Sequence, residues 1–80
     1  MIEPADLASL IQAALPDADV TVSDMTGTRD HFEARIVSAT FSGRSLIERH
    51  RMVYAALGDE MKQRVHAFTM KTLTPEEAAR

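Results

Sequence analysis

The sequence predicts an α+β fold with the element order helix, strand, strand, helix, strand, helix. Two observations carry this prediction: apolar residues recur at helical spacing in two long stretches, and shorter stretches between them alternate or are rich in β-branched and aromatic residues. The strand-helix-strand half is expected to cross over in the right-handed sense. The three strands should therefore form a mixed sheet with the helices packed against it.

Chain length and composition predict one small domain over residues 1–80. Hydrophobic residues make up 45% of the sequence and charged residues 26%, which is ordinary for a soluble globular protein. A chain of this size buries only about 60% of the surface that it exposes when unfolded, so one core and a modest stability are expected. The net charge of −3 argues against a protein whose main role is to coat nucleic acid.

The absence of cysteine excludes disulfides, thiol catalysis and a self-contained thiolate metal site. Histidine is the remaining nitrogen donor, so another molecule would have to supply most ligands of any metal site. No nucleophile-base pair or paired carboxylates stand out, and we therefore expect a protein that is not an enzyme. The apolar runs are too short to span a bilayer and no signal peptide is evident, so the cytoplasm is the expected location.

The first helix is predicted by a stripe of apolar residues at i, i+3, i+4, i+7 and i+8, namely Leu7, Leu10, Ile11, Ala14 and Leu15. Pro4 suits its first turn, and Pro16 cannot continue it. Alternating residues then predict a strand from Val20 to Asp24 and a second strand from His31 to Ser38. The loop around Gly27 would join them as a β-hairpin.

A second helix is predicted to begin after Ser45, because Ser45 and Glu48 have the spacing of a capping box. Gly43 allows an abrupt reversal of the chain before it, and Gly58 is placed to end it. Its expected packed stripe comprises Leu46, His50, Val53 and Leu57, widened by Ile47, Tyr54 and Met61. His50 should then be a core residue with one ring nitrogen hydrogen-bonded, and the arginines on either side of it should lie in water.

The last part of the chain is predicted to hold a strand and a short helix. Residues 59–64 are expected to add a helical turn, and Val65 to Lys71 are expected to form the third strand. The period of two places three of its residues on one face, namely His66, Phe68 and Met70. Thr74 as cap, Pro75 in the first turn and the acidic residues after it predict a C-terminal helix.

The segment F-S-G-R-S-L-I-E-R-H-R-M-V-Y-A-A-L, followed by V-H-A-F and then T-L-T-P-E-E, resembles the BolA family over nearly the whole chain. The R-H-R helix and the V-H-A-F strand are specific in combination, although each alone is a weak signal. The resemblance implies a KH-like, class II arrangement of the αββαβα order. The family usually has T-P-E-W-like sequence where this chain has T-P-E-E, which predicts weaker packing of the last helix.

The resemblance also implies a non-enzymatic adaptor that pairs with a monothiol glutaredoxin and binds a shared [2Fe-2S] cluster, in iron-sulfur cluster trafficking, assembly or iron homeostasis. It makes His66 a cluster ligand, while the glutaredoxin cysteine and its bound glutathione supply thiolates. Nitrogen donors on one iron are known from Rieske centres, so this ligation is chemically reasonable. The family's second ligand lies in or near the loop between the first two strands, where His31 is the candidate. The chain alone is expected to bind no cluster.

The alternative that the resemblance allows is a DNA-binding transcriptional regulator. Its contact surface would comprise the turn around Gly43 with Arg44, Arg49 and Arg51. The net negative charge counts against it, and we expect weak, sequence-independent binding that falls as salt rises. The free protein is expected to be a monomer or a weak homodimer.

Overall fold

The computed structural model describes residues 3–24, 27, 31–58 and 67–80, and the elements within them follow the predicted order. They are α1 (Pro4–Ala14), β1 (Asp19–Asp24), β2 (His31–Val37), a 3-10 helix (Ala39–Phe41), α2 (Leu46–Leu57), β3 (Ala67–Leu73) and α3 (Pro75–Ala78). The α+β prediction is confirmed. The predicted helical turn at 59–64 and the first two residues of the predicted third strand lie outside the described residues.

The three strands form one mixed sheet in the order β1-β2-β3. β1 is antiparallel to β2 and β2 is parallel to β3, as expected for a hairpin followed by a strand-helix-strand crossover. Along β2, buried and exposed residues alternate, so one face of the sheet carries Phe32, Ala34 and Ile36 into the core. The other face exposes the polar residues between them.

The core lies between the helices and this buried face of the sheet. Its members are Leu7, Ile11, Leu15, Ala18, Phe32, Ala34, Ile36, Phe41, Val53 and Leu57. The predicted stripe of α1 was too wide, since Leu10 is 37% exposed and Ala14 is exposed. The reason is that α1 contacts the core through a narrow i, i+4, i+8 row that Leu7 begins. No helix in the described part of the chain is long and apolar enough to cross a membrane.

The ends of α2 are formed by the predicted local signals. The Ser45 hydroxyl accepts from the Glu48 N–H at 3.2 Å, and the Glu48 carboxylate accepts from the Ser45 N–H at 2.9 Å, which completes the capping box. Gly58 ends the helix with a φ of +57°, a conformation that residues with a Cβ rarely adopt. The predicted start and the predicted end of α2 are therefore confirmed.

The packed face of α2 differs from the predicted one. Arg49, Val53 and Leu57 are its buried residues, whereas His50 is only half-buried. Leu46 of the predicted stripe is 64% exposed, and Ile47 and Tyr54, which were expected to widen it, are 66% and 41% exposed. Met61 lies outside the described residues. The expectations of a core His50 and a solvated Arg49 were wrong, because the packed i, i+4, i+8 row of α2 begins at position 49.

Asp17 connects the turn after α1 to the unpredicted 3-10 helix. Its carboxylate accepts from the Ser38 hydroxyl at 2.8 Å and from the Ala39 N–H at 2.9 Å, and the Thr40 hydroxyl donates to it at 3.3 Å. The Ser38 hydrogen bond above all, with the Ala39 and Thr40 bonds, lowers the pKa of Asp17. A charged Asp17 therefore holds the end of β2 in the conformation that leads into α2.

Candidate metal-ligand site

His31 is the first residue of β2 and lies at the exposed end of that strand. It is paired in the parallel register with Ala67, the first residue of β3. Cα atoms of neighbouring strands are about 4.8 Å apart. The sequence places His66 directly before Ala67, and His66 itself lies outside the described residues. The sheet therefore places His31 beside Ala67, the residue that follows His66 in the sequence.

The two faces of the sheet separate His31 from the residues predicted to share a face with His66. Phe68 and Met70 pack against the core on the helix-covered face, as the predicted alternation requires. Phe68 is the register partner of the buried Phe32, and His31 points with Glu33 to the other face. Because His66 lies outside the described residues, the pairing of the two predicted ligands stays a prediction.

The side chains of the described residues could supply only part of the ligands of an iron-sulfur cluster. Within residues 3–24, 27, 31–58 and 67–80, no three His, Cys, Asp or Glu side chains group together as a metal site. An iron-sulfur cluster of this type is normally held by four donors, most of them thiolates, and the sequence contains no cysteine. A cluster of this kind would therefore need its thiolates from another molecule.

Arg49 lies at the junction of α2, β3 and α3. Its side chain is 9% exposed. Nη1 donates to the Thr72 carbonyl at 3.0 Å and to the Glu77 carboxylate at 2.8 Å, and Nε donates to the Arg44 carbonyl at 3.0 Å. The guanidinium carbon also lies 5.8 Å from the centroid of the Phe41 ring, within cation-π range. A planar group with several donors satisfies all these partners at once, which explains how an arginine is buried here.

Glu77 stands where the family usually has tryptophan, and it attaches α3 by polar contacts. Besides pairing with Arg49, its carboxylate accepts from the Thr74 N–H at 2.8 Å, while the Thr74 hydroxyl accepts from the Glu77 N–H at 3.2 Å. The Arg49 hydrogen bond, then the Thr74 amide, lowers the pKa of Glu77. The T-x-x-E spacing could have revealed this capping box from the sequence, whereas the ion pair with Arg49 had no local signal.

The Arg49–Glu77 pair predicts a specific loss of stability in acid. Because the folded-state pKa of Glu77 is lowered, its contribution is present above the unfolded-state value of about 4.3 and disappears as pH falls through the folded-state value. We expect Glu77→Gln to reduce the melting temperature at neutral pH and to flatten its decline below about pH 4. Glu76→Gln, an exposed neighbour, is the control, and equal acid slopes in the two variants would contradict the assignment.

Of the three arginines of the predicted DNA-contact surface, Arg44 and Arg51 are exposed and Arg49 is buried. Arg44 has a side chain 52% exposed and pairs with Glu48 at 3.7 Å. Arg51 is exposed on α2. Arg49 is buried among protein acceptors and cannot reach a phosphate. Its inclusion in that surface was wrong, because the sequence around it contains no sign of its distant partners.

Comparison with known proteins agrees with this fold. Residues 11–77 match the family model described as BolA-like protein. The chain is 42% identical over 76 residues to human BolA-like protein 2, covering 92% of this chain and 87% of the human protein. The solved structure of a bolA protein homologue from Coxiella burnetii has a TM-score of 0.85 and 36% identity, with 100% of each chain covered. The BolA domain of SufE1 from Arabidopsis thaliana has a TM-score of 0.83 and 32% identity, covering 92% of this chain and 93% of that domain. This chain belongs to the BolA-like protein family.

Proposed function

We propose that this chain is a non-enzymatic adaptor that pairs with a monothiol glutaredoxin and holds a [2Fe-2S] cluster between the two proteins, in iron-sulfur cluster trafficking, assembly or iron homeostasis. The observation that carries the proposal is the family match over residues 11–77, which includes the V-H-A-F segment with His66, in a sequence without cysteine. A BolA domain similar to this chain also occurs within SufE1 of Arabidopsis thaliana.

In this proposal His66 supplies an imidazole ligand to the cluster. The glutaredoxin cysteine and its bound glutathione supply thiolates. Mixed nitrogen and thiolate ligation raises the reduction potential of such a cluster relative to thiolates alone. The chain would therefore raise the reduction potential of the cluster as well as bind it.

The second imidazole is assigned in this proposal to His31. Its support is the β2–β3 register, in which His31 pairs with Ala67, the residue next to His66 in the sequence. His31 also lies at the exposed end of β2 rather than in the core, so a partner can approach it. Substitution of His31 alone should weaken the cluster, since it removes one nitrogen donor while leaving His66.

Reconstitution with the partner tests the proposal. The chain, a monothiol glutaredoxin, glutathione, ferrous iron and sulfide are combined without oxygen, and visible absorption is recorded across a size-exclusion column. We expect the cluster absorption in a fraction with the size of a 1:1 complex, and no stable cluster on the chain alone. A stoichiometric cluster on the isolated chain would contradict the borrowed-thiolate argument. Absorption confined to the glutaredoxin fraction would contradict the adaptor role.

A further inference from the structure

The face of the sheet that points away from the core carries a polar surface between β2 and β3. Glu33, Arg35, Thr69 and Lys71 are all exposed on it. We call this surface the open face. The strand period of two places these side chains together, because the residues between them point into the core. The proposed ligand His31 lies at the end of the same face, two residues before Glu33.

Two positive charges lie side by side on the open face. Arg35 and Lys71 are paired in the parallel register, so their Cα atoms are about 4.8 Å apart and their side chains share one face. Like charges directly opposite each other destabilise a sheet. Within the described residues neither side chain makes an ion pair or a hydrogen bond. The fold thus maintains an uncompensated cation pair in a chain with a net charge of −3.

A groove of about 310 Å³ follows this part of the sheet. It is lined by Glu33, Ala34, Arg35, Thr69, Met70 and Lys71. Arginine and lysine beside a threonine hydroxyl are donors suited to an oxyanion such as a carboxylate or a phosphate. The groove therefore has the chemistry to take a negatively charged group between its two cations.

Glu33 decides which kind of anion fits. It lies two residues before Arg35 on the same face, about 6.6 Å along the strand, and it makes no ion pair within the described residues. A phosphate chain seated on the cations would bring a further negative charge towards Glu33. A protein segment in extended conformation repeats its side chains at the same spacing of about 6.6 Å, so an acidic residue can face the cations while a basic residue faces Glu33.

We propose that the open face is a docking surface for an extended segment of a partner protein. An acidic side chain of that segment binds between Arg35 and Lys71, and a basic side chain two residues away binds Glu33. Complementary charges of this kind set the register and the choice of partner more than they set the affinity. The surface accordingly selects a segment with alternating charge over a uniformly acidic one.

The test uses blocked peptides of defined sequence as probes of the ¹⁵N-labelled chain by NMR at low salt. We expect the peptide Thr-Glu-Thr-Lys-Thr to shift amide signals of β2 and β3, and to bind more tightly than Thr-Glu-Thr-Glu-Thr. The double variant Arg35→Gln/Lys71→Gln should weaken binding by about fivefold or more, as expected for the loss of two exposed ion pairs. Its melting temperature should not fall, because a repulsive pair has been removed.

Two control variants make the test specific. Arg51→Gln, which removes an exposed cation on α2, should leave peptide binding unchanged. Glu33→Gln should abolish the preference for the mixed-charge peptide. The proposal is overturned if no β2 or β3 signals move, if the double variant binds as the unmodified chain does, or if the two peptides bind equally. Tighter binding of a ten-residue oligothymidylate at these residues would also overturn it, since the face would then be a nucleic-acid surface.

Discussion

His66→Ala is expected to remove most of the visible absorption of the cluster shared with glutaredoxin. A methyl group cannot replace the imidazole nitrogen, and the remaining donors do not complete the ligand set. The chain should stay folded, because the proposal makes His66 a cluster ligand. Absorption of the size-exclusion fraction with the mass of the complex, together with the melting temperature of the variant alone, measures both effects.

His50→Ala is the matched control for this experiment. His50 is half-buried on α2, and its side chain forms no hydrogen bond within the described residues. Its substitution should leave the cluster spectrum unchanged. A normal spectrum for His66→Ala would refute the ligand assignment, and unfolding of that variant would show that His66 is a structural residue.

Arg49→Ala should reduce the free energy of unfolding by about 2–4 kcal/mol. The change leaves the Thr72 carbonyl and the Glu77 carboxylate without their charged donor and detaches α3 from α2. Urea denaturation, compared at constant m value, measures the free energy of unfolding. In a domain of this size such a loss is a large fraction of the total stability.

Two further substitutions test whether the stabilising effect of Arg49 comes from its charge or from its planar guanidinium group. Arg49→Lys should recover only part of the loss, because an ammonium group cannot make the planar set of hydrogen bonds. Arg51→Ala removes an exposed arginine from the same helix and should change stability by no more than about 0.5 kcal/mol. If Arg49→Ala destabilised the chain no more than Arg51→Ala, the junction would not have the structural role described.

The boundaries of α2 could be predicted because their causes are local. The capping box joins Ser45 to a residue three positions away, and Gly58 acts through its own backbone. The packed face could not be predicted in the same way. The partners that allow Arg49 to be buried are 23 and 28 residues distant, at Thr72 and Glu77. Without knowledge of these partners, the hydrophobic pattern predicted that His50 is in the core and that Arg49 is in water.

The candidate metal-ligand site was likewise predictable only where its cause is local in the sequence. A strand beginning at His31 was predicted correctly, since alternation is a property of neighbouring residues. The pairing of His31 with Ala67 depends on the register between two strands separated by a helix, and the sequence contains no local signal for it. The link from Asp17 to Ser38 was missed for a related reason, because it joins two turns 21 residues apart.

The proposed ligation is tested most directly by nuclear coupling to the reduced cluster. The histidines of this chain are labelled with ¹⁵N, the cluster is assembled with unlabelled glutaredoxin and glutathione, and electron-nuclear double resonance is recorded after one-electron reduction. We predict strong coupling to ¹⁵N from both His66 and His31, and the residual cluster of the His66→Ala variant should lack the His66 contribution. A reduced cluster in the complex that shows no coupling to ¹⁵N-histidine would contradict the claim that this chain supplies a ligand.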